Sequence, residues 1–357
     1  MFSNRSLIAA SAAATVAVAG LGSAQYVQLL DDSDIFGTSG NTQATNVVVD
    51  GTTAYFTLSG GGSANIAKIE NLGSTNDFSI LVDSSTLSGI GVTSIASTGF
   101  DLVGTDLIFA DSVDDATYIV DTTASNVASV LSSKAALDLF IGGTGPTMFV
   151  VASSSAGTFM YEGDTDSIIA VTGVNSFATE VTDTALSNLS GDDTITNLAI
   201  SGDTLFFENG GGLFSWNTAS NTGSELIDTS SVDSAIGSST AAVSNITFRV
   251  GPDGRLYFLE FDTDDIWAYD PTDGSFELIL NTEELNLGPA FENTTSFAIA
   301  DFTFVDGELA FLIDDDFGPA GSSGATAFGG LYRVPEPATA ALLAIGAGLI
   351  AVRRRRA

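Results

Sequence analysis

The chain of 357 residues carries 44 acidic and 10 basic side chains, and it contains neither cysteine nor histidine. A Ser-His-Asp triad, a cysteine nucleophile and a zinc site built from His or Cys are therefore excluded. Only oxygen ligands remain for a metal, and these favour hard cations such as calcium. The formal net charge of −34 repels phosphate groups, so we expect the body of the chain to bind neither nucleic acid nor an anionic membrane surface.

The N-terminal residues 1–24 have the three parts of a signal peptide. Arg5 precedes an apolar run over 7–21, and the small residues 22–24 follow. Small side chains at the −3 and −1 positions predict cleavage between Ala24 and Gln25. A buried helix, the alternative interpretation, would not account for all three parts together.

The C-terminal residues 335–357 form a second terminal signal. An apolar stretch over 338–352 is short for a spanning helix, which needs about 20 residues. Basic residues directly after such a stretch stay on the cytoplasmic side, which leaves the body outside. The order of the parts resembles the PEP-CTERM sorting signal that exosortases of Gram-negative bacteria recognise. Its motif and its basic cluster are Pro335, Glu336, Pro337, Arg353, Arg354, Arg355 and Arg356.

This resemblance implies a route to the cell surface. The secretion machinery would export the chain, and an exosortase would process it near 335–337. The product would be released or attached at the cell surface or in the extracellular matrix, often in bacteria that make exopolysaccharide. The membrane would be contacted only through the C-terminal segment before processing. An ordinary C-terminal membrane anchor is the alternative. We expect a signal peptide over 1–24, a body over 25–334 and a sorting signal over 335–357.

Within the body, one pattern of four short strands recurs. In the clearest copy the strands cover 248–250, 256–259, 266–269 and 276–280, and the Gly-Pro-Asp-Gly sequence at 251–254 separates the first two. This tetrapeptide is a strong turn signal because Pro presets φ and Gly accepts positive φ. Four antiparallel strands joined by turns form one blade of a β-propeller.

Six copies can be aligned on an aromatic residue of the second strand, at intervals of 53, 40, 58, 51 and 53 residues. A period near 50 lies within the range of propeller blades, whereas a β-helix would repeat about every 20 residues. We therefore predict an all-β, six-bladed propeller rather than a right-handed β-helix or a pair of stacked β-sandwiches. The aligned residues are Phe56, Phe109, Phe149, Phe207, Phe258 and Phe311, and the copy around Phe149 is the least regular.

The last copy has no fourth strand before the sorting signal. Residues 26–32 resemble the fourth strands of other copies at 78–83, 224–228 and 276–281. Pairing of this N-terminal strand with the last blade would close the ring and remove two open sheet edges. We predict this closure.

Acidic clusters supply the candidate metal ligands. Several clusters follow the second strand of a copy, so loops on one rim could bring carboxylates together around calcium. The alternative, which the notable excess of acidic residues favours, is that solvated acidic loops keep a surface protein soluble. The candidate ligands are Asp262, Asp264, Asp265, Asp314, Asp315 and Asp316. No catalytic residue is assigned.

Two further features bear on function. Residues 251–257 resemble the repeats of calcium-dependent six-bladed hydrolases of the gluconolactonase class, but the chain lacks the early Glu-Gly-Pro segment that carries a metal ligand there. Trp216 and Trp267, in third strands, could stack on sugars, although core packing is favoured. We expect a noncatalytic binding or adhesion propeller. A secreted calcium-dependent carbohydrate-active or lactone-hydrolysing enzyme is the alternative.

Overall fold

The computed structural model describes residues 26–37, 39, 41, 43–59, 64–111, 113–143, 148–190, 195–209, 212–237, 243–260, 265–281, 299–313 and 330–334. Within them, six four-stranded antiparallel sheets form the blades of a propeller. The predicted fold class is therefore confirmed. Both terminal signals lie outside the described residues. No helix of the described part of the chain combines the length and the apolar content that crossing a membrane requires.

The strands follow one another along the chain, blade by blade. Blade 1 contains β2 (Gln43–Asp50), β3 (Thr53–Ser59), β4 (Asn65–Glu70) and β5 (Asp77–Val82). Blade 2 contains β6 (Ile95–Val103), β7 (Asp106–Asp111), β8 (Ala116–Asp121) and β9 (Ala128–Ser132). Blade 3 contains β10 (Met148–Ser154), β11 (Gly157–Glu162), β12 (Ser167–Gly173) and β13 (Ser176–Val181). Blade 4 contains β14 (Ile195–Ser201), β15 (Thr204–Asn209), β16 (Gly212–Asn217) and β17 (Thr222–Ile227). Blade 5 contains β18 (Val243–Val250), β19 (Leu256–Glu260), β20 (Ile266–Tyr269) and β21 (Phe276–Leu280).

Blade 6 is built from both ends of the body. It contains β22 (Ile299–Val305), β23 (Glu308–Ile313) and β24 (Gly330–Arg333), and the N-terminal β1 (Val27–Asp31) supplies its fourth strand. In the antiparallel register, Val27 lies opposite Arg333 and Asp31 lies opposite Gly330. The predicted closure is thus confirmed: β1 covers the edge of β24, and blade 6 has four strands like the other blades.

Six apolar clusters hold the ring together, and each lies between two neighbouring blades. Because each blade buries its faces only against its neighbours, the core is a set of interfaces rather than one centre. At the middle of every second strand stands one fully buried residue. These residues are Phe56, Phe109, Met160, Phe207, Phe258 and Phe311, all 0% exposed.

The alignment on Phe149 was wrong. Phe149 lies in β10, the first strand of blade 3, whereas the equivalent of the other aligned residues is Met160 in β11. First and second strands are both buried, so a short apolar run with an aromatic residue is consistent with either one. With Met160 in place, the intervals become 53, 51, 47, 51 and 53 residues, which is more regular than the sequence alignment indicated.

Short helices connect the fourth strand of one blade to the first strand of the next: α1 (Asp32–Phe36), α2 (Ser84–Gly89), α3 (Lys134–Ile141), α4 (Asp183–Ser190) and α5 (Thr229–Ile236). Side-chain oxygens cap several of their N-termini, as Asp83 does by accepting a hydrogen bond from the Thr86 amide. Each helix buries one aliphatic side chain against the blades: Ile35, Leu87, Leu137, Leu186 and Val232.

An asparagine in the turn before the fourth strand links neighbouring blades at the outer rim. In blade 2, Asn126 has φ of 57°, and its amide nitrogen donates to Leu81 O of blade 1. Its side chain also accepts from the Asp83 amide at 2.9 Å and donates to the Asp83 carboxylate at 3.0 Å. Asn175 makes equivalent contacts with the preceding blade, whereas Asn76 donates to Leu29 O and Asp34 Oδ2 through its side-chain amide. Asparagine suits this position because it tolerates positive φ.

We expect Asn126→Ala to lower the free energy of unfolding by about 2 kcal/mol. The variant loses the side-chain hydrogen bonds to Asp83, and alanine tolerates positive φ less well than asparagine. Asn126→Gly keeps the backbone freedom and should lose less. Ser125→Ala, an exposed neighbour in the same turn, is the control. Urea unfolding measures all three, and an alanine variant as stable as the control would contradict the link.

The same contacts give a pH signature. Hydrogen bonds from Ser85, Thr86 and Asn126 lower the pKa of Asp83 from its ordinary 3.8 to about 2. A carboxyl with a lowered pKa in the folded state stabilises the fold above pH 3.8, and this contribution is lost as the pH falls towards about 2. Ser85→Ala, which removes the largest of these contributions, should therefore weaken the pH dependence of stability in this acidic window more than Asn126→Ala does.

Candidate functional site

The first strands of the blades surround a central channel with a cavity of about 250 Å³. Most of the lining residues are apolar (Val, Ala, Leu, Ile and Phe), but polar atoms form the larger part of the surface exposed in the cavity. Its polar side chains are Asp101, Ser153, Asn197, Arg249 and Thr303. A cavity in which a few polar groups converge among apolar residues is a usual form of ligand site, so we take the channel as the candidate functional site.

A three-residue ion cluster crosses this channel. Arg249, on β18 of blade 5, places Nη2 3.0 Å from Asp301 Oδ2 of blade 6. Its Nη1 lies 3.5 Å from Asp101 Oδ1 of blade 2. The Asp301 side chain is only 1% exposed, whereas Arg249 and Asp101 keep some contact with the channel. One guanidinium therefore neutralises a buried carboxylate and approaches a second one.

Both carboxylates also accept backbone hydrogen bonds from the next blade. Asp301 Oδ2 accepts from the Val47 amide of blade 1 at 2.8 Å, and Asp101 Oδ2 accepts from the Ser153 amide of blade 3 at 2.8 Å. Arg249 Nη2 additionally donates to Val47 O at 3.4 Å. The cluster therefore joins five of the six blades around the channel, and we call these three charged residues the channel clasp.

Burial shifts the pKa values of the two partly exposed members of the channel clasp in opposite directions. Burial lowers the pKa of Arg249, but the attraction of Asp301 and Asp101 outweighs it and the net pKa is raised. Burial raises the pKa of Asp101, against the opposing attraction of Arg249 and the hydrogen bond from Ser153. A carboxyl with a raised pKa in a cavity is a feature of acid-base groups as well as of structural ion networks.

Most of the predicted site residues lie outside the described residues: Ala24, Gln25, Asp262, Asp264, Asp314, Asp315, Asp316, Pro335, Glu336, Pro337, Arg353, Arg354, Arg355 and Arg356. Asp265 is described, and its backbone carbonyl accepts a hydrogen bond from the Glu260 amide at 2.8 Å. Across the residues that the structure describes, no group of three or more acidic side chains is arranged to hold a metal ion.

Other acidic residues serve local structure. Asp31 caps α1 with its side chain, and Asp115 pairs with Lys134 at 2.9 Å. Asp111 is fully buried and accepts from the amides of Thr93, Val113 and others in its loop. These three carboxylates therefore act as a helix cap, an ion-pair partner and a buried acceptor of backbone hydrogen bonds.

Both tryptophans pack between blades. Trp216 belongs to the core between blades 3 and 4, and Trp267 packs against the core between blades 4 and 5. Although both lie in third strands, Trp216 is opposite Leu205 whereas Trp267 is opposite Phe258. Core packing is therefore their role in the structure.

Sequence reasoning missed the channel clasp, although one signal was present. Arg249 lies between Phe248 and Val250 in an otherwise apolar strand, and Asp101 and Asp301 each adjoin a phenylalanine of a first strand. A charge within a buried strand needs a partner. The partners lie 52 and 148 residues away in the chain, so only the ring geometry identifies them.

Comparisons with known proteins bear on the C-terminal sorting motif and on the propeller fold. Residues 333–356 match the PEP-CTERM protein-sorting motif, which implies export and exosortase sorting to the cell surface in Gram-negative bacteria. The predicted sorting motif is thereby confirmed. No curated protein matches the sequence.

Solved propeller structures are similar at low identity. A luciferin-regenerating enzyme is 11% identical with a TM-score of 0.49, and the match covers 87% of this chain and 96% of that one. Virginiamycin B lyase from Staphylococcus aureus is 11% identical with a TM-score of 0.46, covering 81% and 83%. Regucalcin from Agrobacterium tumefaciens, described as a calcium-binding protein, is 11% identical with a TM-score of 0.45, covering 82% and 90%. None of them indicates an activity for this chain.

Proposed function

We propose that this chain is a noncatalytic binding or adhesion propeller that is exported, sorted by an exosortase and retained at the cell surface or in the extracellular matrix. The observation that carries the noncatalytic part is the channel clasp. Its guanidinium is engaged by two carboxylates, and most of the other lining residues are apolar. The Arg249 guanidinium thus stabilises the ring, and the outer surfaces of the blades remain available for binding.

The second candidate function is a secreted calcium-dependent enzyme that hydrolyses a lactone or a carbohydrate. The raised pKa of Asp101, in a cavity of about 250 Å³, is the observation that favours it. Lactone hydrolysis by the wild type and by Asp101→Asn, with calcium chloride or sodium chloride at equal ionic strength, separates the two functions. Calcium-dependent hydrolysis that the variant loses would replace our proposal.

Sorting is tested in the native host by replacing Glu336 with Ala. We expect the variant to accumulate in the membrane fraction with its C-terminal segment uncleaved, because the exosortase would no longer recognise the motif. Glu225→Ala, at an exposed acidic residue of the body, is the matched control and should be processed normally. Normal surface display of the Glu336→Ala variant would contradict sorting through this motif.

A further inference from the structure

Because the blades repeat, a surface residue of one blade can be compared with the residues at the equivalent position of the others. Helix α3 buries Leu137 as the other connecting helices bury their aliphatic residue, but two positions later it exposes Leu139 to 85%. The equivalent exposed positions in the other described helices of similar register are Gly89, Asn188 and Ser234. The fold therefore does not require an apolar side chain at this position.

A second exposed position in blade 3 departs from the pattern in the same way. Val174 directly precedes the positive-φ residue of the turn before the fourth strand, and it is 66% exposed. In the other described blades with this turn, the equivalent residues are polar and exposed: Thr75, Ser125, Ser220 and Asp273. An apolar residue here does not improve the turn.

Hydrogen bonds and a ring contact join the turn of Val174 and its fourth strand to helix α3. Asn175 donates to Leu131 O at 2.9 Å and accepts from the Ser133 amide at 2.8 Å, which holds the turn of Val174 beside the start of α3. Phe140 of α3 is 40% exposed, and its ring centroid lies 5.5 Å from that of Phe177. Leu139, Phe140, Val174 and Phe177 form what we call the blade 3 patch.

A cavity of about 320 Å³ opens beside the blade 3 patch. Phe140, Ile141 and Ile169 form its apolar lining. The rest of the lining carries hydroxyl groups and one carboxylate, from Thr165, Ser167, Thr179, Thr182, Asp183 and Thr184. This lining combines an aromatic face with a row of short hydrogen-bonding groups.

We propose that the blade 3 patch and its cavity bind a neutral polysaccharide. The apolar C–H face of a hexose would stack on Phe140, while its hydroxyl groups would exchange hydrogen bonds with the threonines and Asp183. The described lining carries no basic side chain, and the chain has a net charge of −34, so an anionic polymer would be repelled. The inference rests on the proposed role as a surface binding protein and assigns its site.

Affinity electrophoresis of the surface protein from the native host tests the site. Native gels contain dextran, galactomannan or xyloglucan, with alginate as the anionic polymer. We expect at least one neutral polymer to retard the wild type. Phe140→Ala should raise the Kd at least tenfold, whereas Phe140→Tyr should bind like the wild type because it keeps the ring. Asn188→Ala, at an exposed position of α4, is the matched control.

The outcomes distinguish the site from the function. Retardation of Phe140→Ala equal to that of the wild type would overturn the site and leave the binding function in place. Absence of retardation by every neutral polymer would overturn polysaccharide binding, while surface sorting would stand on its own test. Self-association that Leu139→Ser abolishes would assign the blade 3 patch to a second copy of the chain and overturn the proposal. Leu139→Ser should fold, because an equivalent helix carries Ser234.

Discussion

Removal of residues 26–31 should abolish most of the stability of the propeller. These residues provide the fourth strand of blade 6, and Leu30, 1% exposed, packs in the core between blades 6 and 1. Loss of a buried leucine side chain alone costs about 2–5 kcal/mol. The deletion also leaves β24 as an unpaired edge, which invites aggregation.

A peptide covering residues 26–31, added to the shortened chain, should restore cooperative thermal unfolding. The same peptide with Leu30→Asp should not, because it would bury a charge in the interblade core. Circular dichroism during heating measures all three samples. A shortened chain that melts like the full-length protein would contradict closure by β1.

Arg249→Met should be the most destabilising single substitution in the channel. It removes the partner of Asp301, whose side chain is 1% exposed and cannot be rehydrated without opening the ring. Breaking a buried ion pair by removing one partner costs about 3–5 kcal/mol. Arg255→Met, which removes a partly exposed pair with Glu277, should cost at most about 1 kcal/mol.

A double substitution identifies the cause of that loss. Arg249→Met combined with Asp301→Asn removes the uncompensated charge but keeps an oxygen that can accept from the Val47 amide. If the buried charge is responsible, the double variant should be more stable than Arg249→Met alone, and urea unfolding gives the coupling energy. Additive losses would show that the two side chains act independently and that the channel clasp is not a unit.

The sequence predicted the parts of this fold that depend on local pattern. Strand alternation and turn residues repeat with each blade, and residues 26–32 resemble other fourth strands closely enough to predict closure. The alignment failed at Phe149 because a buried first strand and a buried second strand have the same apolar composition. Neighbouring turns, not the strand itself, would have been needed to separate them.

The site depended on geometry that local pattern does not contain. Arg249, Asp101 and Asp301 come from three blades and meet only because their first strands face one channel. The blade 3 patch likewise becomes visible only when equivalent positions are aligned on the structure. Comparison of Leu139 with Gly89, Asn188 and Ser234 requires the helix registers that the fold provides.

Closure by β1 also places the two ends of the body side by side. Val27 lies opposite Arg333, so the described chain enters and leaves the propeller at the same blade. The proposed function requires that the chain be exported, processed at both ends and displayed as a closed propeller. Intact-mass measurement of the surface protein from the native host tests it most directly. We predict a chain that begins at Gln25 and ends near Val334, and a surface protein that retains Arg353 to Arg356 would contradict the proposal.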